Sequence, residues 1–403
     1  MTGKLWVPIF RENNIFHYSY LLLLTSFFVR LLNNGILQQE NVYFSLLSYS
    51  LIVISFVVQI RACIKYKNII YILFILFVFL MVQPTTFRAS FLVIMYTLYI
   101  SKNCNFKYVI TTTLLFSMVS IFAIFCFINM GLAENNAWRT VAGRGHRYDL
   151  GFNNPNAAPL FLGGILMLMA YAIKLRTDKK SAQLFFIISA SLVVYLVFYA
   201  TGSRTLVASW IIFCLTIIFK RIFINSISIA IIRIFPIFIF VLFFLLAVNI
   251  ENNVVRTVDQ FLSYRIRLYG FFFSHFSIID MIFGNAQLVT TLMEEERAPL
   301  DSAYMLLFFT HGGIVYLLFY FVIYRRGINY FISNKDYLAI SILIFFLVFA
   351  MAEAIFMGVT YFPNLFFWIL LSNIKPISKL ITKDNVGFSE DALNRKIFSQ
   401  NVC

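Results

Sequence analysis

The chain has 403 residues, of which 61% are hydrophobic and only 12% charged, with a formal net charge of +15. A soluble domain carries about 25% charged residues, so this chain lacks the polar surface of a water-soluble protein. Its basic residues stand in short clusters between apolar runs, the pattern that orients membrane helices, and the positive charge is therefore not read as a nucleic-acid surface.

A hydrocarbon core of ~30 Å needs ~20 helical residues. Runs of about that length fall first at 15–32, 42–60, 69–84, 87–100 and 108–129. The first has no small-residue cleavage site after it and reads as a retained helix. An outer loop of about 131–156 follows, then runs at 157–173, 182–200, 204–219 and 229–249. A second outer loop, about 250–300, is too long for a simple connection and is expected to carry short helices of its own. Runs at 301–324, 337–357 and 361–373 and a cytoplasmic tail of about 374–403 complete the chain. The expectation is a single all-α membrane domain over 1–403, a polytopic helical bundle with about 12 transmembrane helices. No internal repeat is visible. The cysteines Cys63, Cys104, Cys126, Cys214 and Cys403 offer neither a disulfide framework nor metal-site spacing. No cofactor or metal is expected.

With both termini in the cytoplasm, every inner connection is positive; Arg61, Lys102, Lys174, Lys220 and Arg325 are examples. Every lysine falls on the inner side, whereas the basic residues of the outer side are all arginines. Lysine suffices as a topological anchor, but arginine presents a planar fork that grips phosphate or carboxylate at two points. The outer arginine set is read as the mark of an anionic ligand.

The first outer loop holds Trp138, Arg139, Arg144, His146, Arg147 and Asp149. A polar loop with a helix cap accounts for Asn153-Asn154-Pro155-Asn156, but less well for three arginines so close together. Thr201-Gly202-Ser203 breaks one helix and begins another, which places Arg204 in a first turn, where free backbone N–H groups also favour an anion. In the second loop, Arg265 and Arg267 diverge by about 200° on a helix, so only one faces a given site. Tyr264 and Tyr269 flank them, and aromatic faces beside polar groups suit sugar rings. Asp301 opens the tenth run, and Glu353 lies about one turn below the outer end of the eleventh; ionisable groups at such depth are candidates for a general base. The bland alternatives are a helix N-cap for Asp301 and a simple ion pair for Glu353. His275 and His311 read as ordinary packed histidines, and Glu294-Glu295-Glu296 as a solvated charge run. The absence of a Gly-rich nucleotide loop disfavours a nucleotide-driven pump or a nucleotide-sugar enzyme.

Three segments in this order resemble the bacterial O-antigen polymerase (Wzy-type) and O-antigen ligase superfamily. They are Gly151-Phe152-Asn153-Asn154-Pro155-Asn156 before a helix, Gly202-Ser203-Arg204 opening a later one, and a long loop with Arg265, Tyr269 and Gly284. That loop ends at Asp301-Ser302, followed by Tyr304 and Gly312-Gly313. The resemblance covers roughly residues 130–325. It implies an enzyme of surface-polysaccharide biosynthesis in the bacterial inner membrane, with its active site facing the periplasm. Its substrate would be an undecaprenyl-diphosphate-linked oligosaccharide, whose glycan is moved to a new acceptor with release of the lipid diphosphate. On this resemblance Arg204 and Arg265 would bind the diphosphate, with Arg267, Arg139, Arg144, Arg147, Tyr269 and Asn156 as further contacts to diphosphate or glycan. Ligases of the family place a histidine near the position of Asp301. Its absence here favours the polymerase and leaves the base open between Asp301, Glu353 and His146. The expected function is thus a metal-independent, inverting glycosyltransferase that extends a polysaccharide, with membrane lipid around it and a chain-length regulator protein as a candidate partner. The alternatives are the ligase, with His275 or His311 as base, and a flippase for the same lipid-linked oligosaccharide, which the lack of two related halves disfavours.

Overall fold

The computed structural model describes residues 14–33, 41–66, 86–133, 135–139, 146–152, 154–177, 179–219, 225–262, 264–295, 299–354 and 358–373. One compact unit ends at Ser372; the expected cytoplasmic tail and the apolar run at 69–84 lie outside the described residues. Helices stand at every other apolar run. They are α1 (Asn14–Leu31), α2 (Val42–Tyr66), α3 (Thr86–Asn103), α4 (Phe106–Asn129), α5 (Ala157–Arg176), α6 (Lys180–Thr201), α7 (Arg204–Ile218) and α8 (Ser226–Val248). Four short helices follow, α9 (Asn253–Phe261), α10 (Arg265–His275), α11 (Ile278–Phe283) and α12 (Ala286–Glu295). Then come α13 (Ala303–Leu318), running through a π-helical turn into α14 (Arg325–Ser333), α15 (Tyr337–Phe349) and α16 (Leu365–Ser372). Among the described residues, 6 helices are long and apolar enough to cross a bilayer.

The pattern of exposure suits hydrocarbon outside. Leu115, Phe122 and Phe125 of α4, Phe185 and Ile188 of α6, and Ile227 and Phe238 of α8 are exposed, whereas α15 and α16 are buried almost throughout. Large apolar faces of this extent are untenable in water. Between such helices lipid supplies no hydrophobic drive, and polar side chains act as glue. Ser26 accordingly donates to the Ser48 carbonyl at 2.9 Å, Ser55 to the Ser19 carbonyl at 3.1 Å, and Gln59 to the Ser19 hydroxyl at 2.9 Å, which joins α1 to α2. Pro236 inside α8 has no N–H to offer the Ile232 carbonyl; the Tyr324 hydroxyl donates to that carbonyl instead, and Tyr316 donates to the carbonyl of Pro236 at 2.7 Å.

Three features add to or depart from the sequence expectation. First, the outer loop at 131–156 contains a short antiparallel ladder, β1 (Ala137–Arg139) with β2 (His146–Tyr148), in which Trp138 faces Arg147. The buried Asp149 carboxylate closes its base by accepting the N–H groups of Asn136 at 3.1 Å and Gly151 at 3.0 Å. Second, the segment at 250–300 carries short helices as expected, and these pack against the bundle. In α10, Tyr269 meets Phe243 of α8, and Phe272 and Phe273, with Phe276 just past the helix end, gather around Phe309 of α13. From Asp301 to Phe309 is about 12 Å of helix rise, so α10 runs down beside α13. At the bottom, α13 breaks at Gly312 (φ 84°, ψ 166°), and the chain at Ile282–Gly284 fills the notch. The N–H of Asn285 then bonds the Phe309 carbonyl at 2.9 Å as the chain turns into α12. Third, α15 ends at Phe349 rather than near 357. The Ala350 carbonyl at its end accepts the Ala303 N–H at 3.0 Å, so the two orphan groups of facing helix ends satisfy each other. Glu353 is therefore beyond the helix, in a turn.

Candidate functional site

Three chain segments meet at one end of the bundle: the start of α10, the residues before α13 and the turn after α15. They contribute Arg265, Asp301 and Glu353. The Arg265 Nη2 lies 3.1 Å from Asp301 Oδ2 and 3.8 Å from Glu353 Oε1. Local structure explains the aim of Arg265. Tyr264 before it adopts a left-handed φ of 63° and its side chain does not cap α10. The buried carboxylate of Asp259 does so, accepting the N–H groups of Ile266 at 2.8 Å and Arg267 at 3.3 Å. Arg267 points to solvent, as the helical divergence requires. Asp301 is not the cap of α13; Ser302 occupies that position, which leaves the Asp301 side chain to pair with Arg265.

A second guanidinium approaches from β2. Arg147 donates through Nη2 to the Asn156 side-chain oxygen at 2.7 Å and through Nε to the Thr201 carbonyl. Asn156 thus does not cap α5 with its side chain, as its residue type suggested; that oxygen serves Arg147. Gly202 has a left-handed φ of 65°, and a Cβ there would lie 3.3 Å from Arg147 Nε, so glycine both makes this turn and admits the arginine. Arg204 follows directly as the exposed first residue of α7, after Ser203 has capped the helix through the Leu206 N–H.

The Glu353 carboxyl lies at the back of this group. Its side chain is 9% exposed, against 32% for Asp301. Burial pushes its pKa up to about 8; Arg265 and Arg147 pull it down and Asp301 pushes it up further. Tyr361, nearby, is itself pushed up to about 12 by burial and by Glu353. Tyr269 is buried one turn beyond Arg265, within electrostatic reach of Arg265, Asp301 and Glu353 and with Ser302 beside its hydroxyl. The arrangement is a rim carboxylate, a buried carboxyl whose burial favours the protonated form, and two fixed guanidinium groups. It can take an anion of two or more charges by exchanging carboxylate for phosphate oxygens. Among the described residues no His, Cys, Asp and Glu cluster could hold a metal ion.

The structure therefore brings together Arg147, Asn156, Tyr269, Arg265, Asp301 and Glu353, with Arg204 on the adjoining turn. Arg139 pairs through its backbone with His146; their side chains, and Arg144 altogether, lie outside the described residues. The two alternative bases, His275 and His311, stand apart from the cluster. His275 is exposed against Phe271, and His311 is buried beside Thr310 and Phe91. Sequence reasoning missed Asp259, Thr201 and Tyr361. The first had a signal, a lone acid within the mixed segment Asn253–Phe261; the other two act through a backbone carbonyl and a half-buried ring and had none.

Comparison of the chain with family descriptions, with curated proteins and with solved structures finds no match.

Proposed function

We propose that the chain is a surface-polysaccharide polymerase of the bacterial inner membrane. In this reading about 12 helices cross the bilayer, both termini are cytoplasmic and the arginine site faces the periplasm. The donor is a glycan on undecaprenyl diphosphate and the acceptor is a new lipid-linked repeat unit. The observation that carries the reading is the approach of Arg265 to Asp301 and Glu353, with Arg147 within electrostatic reach of Glu353.

The chemistry follows from that geometry. The donor diphosphate draws Arg265 away from Asp301 and binds across Arg265, Arg147 and Arg204. Asp301, released at the rim, takes the proton of the acceptor hydroxyl as its oxygen attacks the anomeric carbon. The bond from that carbon to the diphosphate breaks with inversion, and the guanidinium groups stabilise the charge that develops on the leaving oxygen. Burial favours the protonated form of Glu353, which lessens its competition with the diphosphate. The ligase reading would need a histidine base, and His275 and His311 both stand apart from the carboxylates.

The test is reconstitution of the purified chain with undecaprenyl-diphosphate-linked oligosaccharide. Longer lipid-linked glycans and free undecaprenyl diphosphate are expected from the wild type, with at least 100-fold less from Asp301→Asn, within the usual range for loss of a general base. Absence of both products from folded wild type, in the presence of donor and acceptor, overturns the reading.

A further inference from the structure

A cavity of about 420 Å³ opens between α5, α6, α7 and α15, within the ~300–1,000 Å³ of ordinary ligand clefts. It lies at the opposite end of the bundle from the arginine site: along α5, Asn156 and Lys174 are separated by ~27 Å of helix rise. Lys174, Lys180 and Lys335 line it, together with Phe213, Ile187 and Leu338. Lys174 is held by Asp336 at 2.6 Å, and the Tyr171 hydroxyl donates to the same carboxylate at 3.2 Å. Among the described residues no carboxylate pairs with Lys180 or Lys335, the other two charges of the lining. Lys335 is set there by a left-handed φ of 54°, a conformation that residues other than glycine seldom adopt. The outer wall continues into exposed apolar surface at Leu184, Ile188 and Ile218. A site that joins exposed lysines at one end to apolar walls open to hydrocarbon fits an amphiphile better than a free inorganic ion.

We propose that this cavity binds an anionic phospholipid of the cytoplasmic leaflet, with the phosphate on Lys180 and Lys335 and the upper acyl chains along Leu184 and Ile188. Basic pockets between helices on that side are suited to such head groups. The inference rests on the orientation that puts the lysine-bearing ends inside, and not on the polymerase chemistry.

The test is native mass spectrometry of the purified full chain, exchanged into detergent with equal phosphatidylglycerol and phosphatidylcholine of matched chains. Wild type is expected to retain phosphatidylglycerol in preference. The preference should fall about fivefold for each lysine neutralised in Lys180→Gln and Lys335→Gln. Ile187→Trp, which fills the cavity and keeps both charges, should lose the retained lipid as well. Equal retention of the two lipids by wild type overturns the proposal. So does loss in the lysine variants with full retention in Ile187→Trp, which would mean surface charge alone.

Discussion

The buried carboxylate of Asp259 accepts the N–H of Ile266 at 2.8 Å and so fixes the helix end from which Arg265 reaches Asp301. Loss of a cap costs about 0.5–2 kcal/mol, and here it also frees the direction of Arg265. Asp259→Ala is expected to lower the polymerisation rate at least tenfold with a modest loss of thermal stability. Asp259→Asn keeps an acceptor oxygen and should recover most of the rate. Equal rates in the alanine variant and wild type would remove Asp259 from the positioning of Arg265.

The raised pKa of Glu353 makes a prediction with a definite sign. At pH 7 the carboxyl holds its proton; as pH rises through about 8 it ionises and cancels one guanidinium charge. The KM for the lipid-linked donor should therefore rise above that pH, and Glu353→Gln should abolish the rise while keeping the neutral-pH rate. The same shift acts on stability. Between the ordinary carboxylate value of ~4.3 and about 8, the unfolded chain releases a proton that the folded chain keeps, so folding weakens as pH increases across that window. A pH series of KM and melting temperature for wild type and Glu353→Gln checks both.

Gly312 joins a φ of 84° to a backbone approach that leaves no room for a side chain, since a Cβ would stand 2.3 Å from the Ile282 carbonyl oxygen. Gly312→Ala is expected to cost more than the ~1–3 kcal/mol of backbone strain alone, because the turn at Ile282–Gly284 must also move. The readout is the melting temperature of the detergent-solubilised protein, with Gly313→Ala as the control; its nearest neighbour would be the Met281 carbonyl oxygen at a tolerable 3.4 Å. Equal melting temperatures for the two variants would contradict the close approach.

Much of this was legible in the sequence because the bilayer imposes it. Apolar runs of the right length became helices, and the spacing of Arg265 and Arg267 assigned one of them to the site. Position and residue type also singled out Asp301 and Glu353. What was not legible depends on contacts far apart in the chain. The end of α15 at Phe349 is set by a bond from Ala303, which no local signal carries. The side chain of Asn156 was read as a cap, and it instead holds Arg147, because a guanidinium nine residues earlier folds back in a hairpin. The short helices of the segment at 250–300 were expected from its length, but no local signal showed that Phe272, Phe273 and Phe276 close around Phe309.

The most direct measurement is the gel profile of surface polysaccharide from a strain that lacks the gene, carrying wild type, Arg265→Ala or Arg267→Ala at matched membrane levels. Arg265 faces the two carboxylates and Arg267 faces away, so a full ladder is expected with wild type and Arg267→Ala and a single repeat unit with Arg265→Ala. A full ladder with Arg265→Ala, or an unchanged ladder in the strain without the gene, would contradict that expectation.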